Sequence, residues 1–168
     1  MLFLLALILI GAASVASAQT GWWRTYGGTD IDRGWSVQQT TDGGYVIAGY
    51  EGYEDVYLIK TNASGDSLWT RTYGGTSLDL GFAVQQTSDG GYIIAGYTAS
   101  FGAGTRDVYL IKTDASGDTL WTRTYGGAHD DEGQSVQQTD DGGYIIAGYT
   151  FSGSSRFRVG DLGGFRRS

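Results

Sequence analysis

Apolar and polar positions alternate along this chain in short runs. In Trp69-Thr-Arg-Thr-Tyr73, Trp69, Arg71 and Tyr73 fall on one side and the two threonines on the other, the two-residue period of a β-strand. Trp22, Arg24 and Tyr26 repeat the pattern, as do Trp121, Arg123 and Tyr125. A guanidinium between two aromatics is placed to stack on them. A second kind of run, Tyr92-Ile-Ile-Ala-Gly-Tyr97, is apolar at successive positions, as in a strand covered on both faces. Glycine-rich turns bound both kinds, and past the first 18 residues no stretch keeps a 3.6-residue period. The pattern predicts an all-β chain with four strands per unit: Ser67–Tyr73, Phe82–Thr87, Tyr92–Thr98 and Asp107–Thr113.

The units are a repeat. Residues 69–100 laid over 121–152 give 24 identities in 32 ungapped positions, and a related copy opens at Trp22. The expected repeat region is 19–156, with units of about 19–66, 67–118 and 119–156. Between the second and third strands stand Asp42-Gly43-Gly44, Asp89-Gly90-Gly91 and Asp141-Gly142-Gly143, read as tight hairpins with positive φ at both Asp and Gly. The next loop varies in length, from residues 51–54 to residues 98–106. Length variation at one fixed place marks a solvent-facing loop suited to ligand contact.

Composition adds the compartment. Met1 to Ala18 holds an apolar run, Leu2 to Ile10, then Ala16-Ser17-Ala18. That reads as a signal peptide cleaved before Gln19, too short for a span of about 20 residues. The expectation is an exported protein, secreted, cell-surface or periplasmic, with no membrane span once the signal is removed. There is no Cys and no Pro, against 29 Gly and 12 Tyr. The net charge is −7, with 17 acidic and 7 basic residues from Gln19 to Ser152. Such an acidic body excludes nucleic acid and anionic lipid as expected partners.

The sequence Tyr-Gly-Gly, then Asp, then Asp-Gly-Gly-Tyr-Ile-Ile-Ala-Gly-Tyr-Thr resembles the β-propeller repeats of secreted and surface proteins of bacteria and archaea. The segment Asp107-Val-Tyr-Leu-Ile-Lys-Thr-Asp-Ala-Ser-Gly-Asp-Thr-Leu-Trp121 is also similar, more weakly, to the blades of pyrroloquinoline-quinone-type propellers. The resemblance covers residues 21–152. It implies about three four-stranded blades of a partial, open propeller, the last one incomplete. Closure takes four to eight blades, so further blades of a longer chain, or a homo-oligomer, are expected partners. The third unit follows the template through Tyr149. Arg156 then aligns with Arg106, and Phe157 stands where Asp107 stands in the second unit. Residues 157–168 are therefore expected to be an atypical basic tail, truncated or disordered.

No catalytic constellation, bound cofactor or metal set emerges from these residues. Asp32, Asp79 and Asp131 recur four residues past Gly-Gly, with Asp30 and Asp130 nearby. Calcium is the one ion they leave open, but one carboxylate per loop is thin for such a site, and turn-holding hydrogen bonds are the favoured account. Asn62 to Asp66 and Asp114 to Asp118 resemble the start of a calcium loop but lack its closing Glu, so they read as hairpin turns. His129, the only histidine, sits at a variable loop position. The pairs Gln38-Gln39, Gln85-Gln86 and Gln137-Gln138 could face a sugar, but alternation turns half of them toward a neighbouring sheet. The expected function is a non-catalytic binding module for a protein or glycan. The alternatives are a fragment of a quinone-dependent dehydrogenase and a lectin-like propeller.

Overall fold

The structure, a computed structural model, describes residues 21–52 and 54–151, and 155–161 as backbone. The expected signal segment and residues 162–168 of the tail lie outside the described residues. Eleven strands are present among them. They are β1 (Arg33–Gln39), β2 (Tyr45–Glu51), β3 (Asp55–Thr61), β4 (Ser67–Tyr73), β5 (Asp79–Gln86) and β6 (Tyr92–Thr98). β7 (Asp107–Thr113), β8 (Thr119–Tyr125), β9 (Asp131–Gln138), β10 (Tyr144–Phe151) and β11 (Ser155–Asp161) follow. They form three open antiparallel sheets, β1-β2-β3-β4, β5-β6-β7-β8 and β9-β10-β11. The described residues are all-β.

The sheets are offset by one strand from the sequence periods. Each Trp-bearing strand closes the sheet before it, because the five-residue turn ahead of it is short. In that turn Asp114 N donates to Asp118 O and Gly117 N to Asp114 O, which folds β8 directly onto β7. The Tyr-Gly-Gly loop after β4 or β8 carries the chain to the next sheet instead. The Asp-Gly-Gly turns also differ from a two-residue hairpin. Gly43 N donates to Thr40 O and Thr40 N to Gly44 O, so Thr41 and Asp42 are central and the positive φ, 83°, falls on Gly43. This is a three-residue loop ending in a glycine bulge.

A second irregularity recurs in every sheet. The pairing of the first two strands slips between Gly34 and Ser36, and again between Gly81 and Ala83. A β-bulge there drives a backbone carbonyl toward the second strand. A Cβ at Gly49 would overlap the Arg33 carbonyl, and one at Gly96 the Leu80 carbonyl. Hence the Gly of each Ala-Gly-Tyr triplet.

Hydrophobic cover comes from the neighbouring sheet. The trailing face of the first sheet (Val46, Ala48, Val56, Leu58, Tyr73) meets the leading face of the second (Val84, Tyr92, Ile94, Tyr109, Ile111) in one buried cluster. The next joint repeats it with Ala95, Leu110 and Val108 against Ile146 and Val136. Between the first strands the glutamines exchange bonds with backbone. Gln38 Oε1 accepts from Gln86 N (2.6 Å), while Gln86 Oε1 accepts from Thr41 N (2.9 Å). At the second joint Gln85 Oε1 accepts from Gln138 N (2.6 Å) and Gln138 Oε1 from Ser88 N (2.8 Å). The side-chain amides therefore tie sheet to sheet.

β11 pairs along β10 from Phe151↔Ser155 to Ile145↔Asp161. Ladder pairing is a backbone property, so the departure in sequence after Arg156 does not prevent it. Arg156 lies opposite Thr150, as Asp107 lies opposite Thr98. The register of β11 is thus one residue different from the alignment that puts Phe157 on Asp107.

Candidate functional site

Two ends of the stack can be compared. One end carries the Asp-Gly-Gly turns and the turns 62–66 and 114–118. Its polar residues are spent on the fold. Asp42 accepts from Thr40 Oγ1 (2.5 Å) and Gly44 N (3.0 Å), and buried Lys60 reaches it at 2.9 Å while donating to Thr61 O (2.8 Å). The Thr40 hydroxyl first, and the Lys60 ammonium next, hold the Asp42 carboxyl down at about 2. Lys112 repeats this on Asp89 and Thr113 O. Asn62 Oδ1 accepts from Ser64 N and Asp66 N, and Asp114 Oδ1 from Ser116 N and Asp118 N. Both segments are hairpin turns.

The other end gathers the loops between sheets (74–78 and 126–130) and those between second and third strands (51–54 and 99–106). Asp32, Asp79 and Asp131 open or precede the first strand of each sheet here. Their Oδ2 atoms accept from Gly28 N (2.8 Å), Gly75 N (2.8 Å) and Gly127 N (2.9 Å). Asp79 N also donates to Glu54 O and Asp131 N to Arg106 O, locking each new sheet onto the loop of the one before. The aspartates hold turns. Among the described residues no group of three or more His, Cys, Asp or Glu is arranged to hold a metal.

Asp79 and Asp131 each have a carboxylate neighbour that the sequence did not single out. Asp55, first residue of β3, comes so close to Asp79 that a Cβ on Gly74 would overlap both carboxylates; Asp107 and Asp131 crowd Gly126 in the same way. The first Gly of Tyr-Gly-Gly is required by this crowding. Burial raises the Asp55 carboxyl above its ordinary range, and the Asp79 charge adds to the shift. The exact recurrence of Asp-Val-Tyr-Leu-Ile-Lys-Thr at 55–61 and 107–113 was the signal for both these Asp residues and for Lys60 and Lys112.

One cluster has no counterpart among the described residues of the other units. Arg106, at the end of the long loop, pairs with buried Glu132 at 3.1 Å and lies 4.7 Å from the Tyr97 ring centre. Gln134 Nε2 donates to the other Glu132 oxygen (3.0 Å). Burial, then the hydrogen bond to Glu132, pushes the Tyr149 phenol up to about 12. Thr105 Oγ1 donates to Asp130, and loop 99–106 lies on the carbonyls of Gly127 and His129. His129 itself is exposed. Glu132 replaces Arg33 and Leu80, and Gln134 replaces Trp35 and Phe82, so a charged, hydrogen-bonding surface stands where the second unit has apolar residues. The pair, buried at Glu132 and half-exposed at Arg106, holds a guanidinium against the Tyr97 ring and a carboxylate against the Tyr149 phenol at the loop rim.

The expected stacking of arginine on tryptophan is present. Arg24, Arg71 and Arg123 lie 6.0, 5.6 and 5.3 Å from the ring centres of Trp22, Trp69 and Trp121. No family model matches the chain, and no curated protein matches it.

Proposed function

We propose that this is an exported or cell-surface protein built of β-propeller-type repeats, and a non-catalytic module that binds a protein or glycan ligand through the loop end carrying Arg106 and Glu132. The observation that carries this reading is where the near-identical units differ. Of the eight differences between residues 69–100 and 121–152, five fall at that end, at positions 76, 77, 78, 80 and 99 against 128, 129, 130, 132 and 151, and a sixth, 82 against 134, lies mid-strand next to them. A scaffold that keeps its joints and varies one rim is the arrangement by which repeat proteins present binding surfaces. The sheets are the blades on this reading, supported by their four-stranded meander, their face-to-face stacking and the first-strand contacts between them.

The test combines a glycan array with capture of partners from the producing cell's surface extract, using the chain and its Arg106→Ala variant. The expected result is selective binding that weakens at least about tenfold in the variant while the β-sheet spectrum is unchanged. Silence in both screens, or binding indifferent to Arg106, refutes the reading.

A further inference from the structure

The residues preceding β1 already behave as a strand of a different sheet. Tyr26 Oη donates to Gly65 O at 2.6 Å, as Tyr73 Oη of β4 donates to Gly117 O at 2.7 Å. Arg24 Nε reaches Asp66 Oδ1 at 3.4 Å, as Arg71 Nε reaches Asp118 Oδ1 at 3.4 Å. Trp22 meets Tyr45 at 5.6 Å and 64°, as Trp69 meets Tyr92 at 5.8 Å and 66°. Trp22–Tyr26 therefore sits on the first sheet where β4 sits on the second. It occupies the fourth-strand place of a sheet preceding the first, yet pairs with no strand among the described residues.

Among the described residues, nothing supplies the rest of that neighbour on the first sheet's leading face. Val37 is 65% exposed, whereas its counterpart Val84, covered by the first sheet, is 7% exposed. A cavity of about 90 Å³ opens between Tyr26, Ile47, Tyr57 and Ile59, the side that Ile94, Tyr109 and Ile111 bury on the second sheet.

The third sheet presents the complement. It has three strands among the described residues, and none of these fills the fourth-strand place beside β11. Phe157 and Val159 hold the register positions of Val108 and Leu110, the apolar pair that meets the next sheet. The amide exchange is also half made at each end. Gln39 and Gln137 are exposed, while Gln38, Gln85, Gln86 and Gln138 bond across joints.

We propose that a second copy of this chain docks head to tail on this face. The third sheet of one copy covers the first sheet of the next, and Trp22–Tyr26 of the latter completes the former's sheet as a fourth strand along β11. Gln137 Oε1 then accepts from Gln39 N of the other copy, and Gln39 Oε1 from Asp140 N, matching the exchange at the internal joints. A second copy is the occupant because its third sheet carries the open fourth-strand place, the register and the unmade half of the glutamine exchange at once. The interface is heterologous, one face against a different face. The proposal rests on stacking geometry and is independent of any ligand at the loop rim.

The test is the mass of the purified chain by light scattering and native mass spectrometry, with two variants. Val37→Asp puts a charge on the leading face, and Ile145→Asp on the trailing face. The chain is expected at a multiple of the monomer mass, and each variant alone is expected to lose association by about 100-fold or more. Mixing the two variants restores one intact joint, so a species of two chains, one of each variant, is expected. Circular dichroism confirms that both retain β structure, and if Ile145→Asp unfolds, Ala147→Asp takes its place. A chain that stays monomeric at about 100 μM, a multimer indifferent to Val37→Asp, or folded variants that fail to pair overturns the proposal.

Discussion

Leu58→Ala asks whether one sheet supplies the hydrophobic cover of the next. Leu58 is 0% exposed and belongs to the cluster between the first and second sheets. Truncation to Ala removes about three carbon groups, worth roughly 2.4 kcal/mol at about 0.8 kcal/mol per buried methylene. The vacated space adds a cavity cost, because two strand ladders hold the walls apart and limit collapse. Leucine-to-alanine changes at such sites cost about 3–5 kcal/mol. At this chain length each kcal/mol lowers the melting temperature by roughly 2–4 °C, so a fall of about 10 °C is expected. Leu68, on β4 of the same sheet, is 57% exposed and serves as the internal control; its truncation should cost less than about 1 kcal/mol. Urea unfolding followed by tryptophan fluorescence reads both values. A Leu58→Ala cost below about 1 kcal/mol, or equal costs at the two positions, would refute stacking as the source of stability.

Two further outcomes are expected. Gly126→Ala, whose Cβ would overlap Asp107, should destabilise by about 1–3 kcal/mol, while Gly127→Ala, with open space at its Cβ, should be nearly neutral by the same urea assay. The Asp42 carboxyl is held below its unfolded value, so its contribution is present above the ordinary carboxylate range and is lost as the pH falls toward about 2. An acid titration of unfolding should therefore flatten over that window in Asp42→Asn, and an unchanged profile would remove Asp42 from the account.

Strand positions were legible because alternation and turn residues act locally. Trp69-Thr-Arg-Thr-Tyr73 and Tyr92 to Thr98 form the strands their patterns imply. Sheet membership was less legible. Whether the Trp-bearing strand joins the unit before or after it depends on the geometry of a five-residue turn against a Gly-Gly loop, and both are rich in the same residues. The acidic loop positions Asp32, Asp79 and Asp131 were visible, but Asp55 and Asp107, the partners of the last two, were not. Those lie 24 residues earlier in each case and approach only when one sheet lands on the next. The Arg106–Glu132 pair was hidden for the opposite reason. It occurs once, so comparison of the units marks it as variation without saying that two varied positions touch.

Every glutamine bond across a joint ends on main-chain N–H and not on another side chain. Beyond its apolar face, a neighbour therefore needs only the right backbone path to be accepted, whatever residues it displays at its rim. Duplicating the DNA for one unit would deliver both halves of a new joint together, so an array of this kind can grow or shrink by recombination without any compensating substitution.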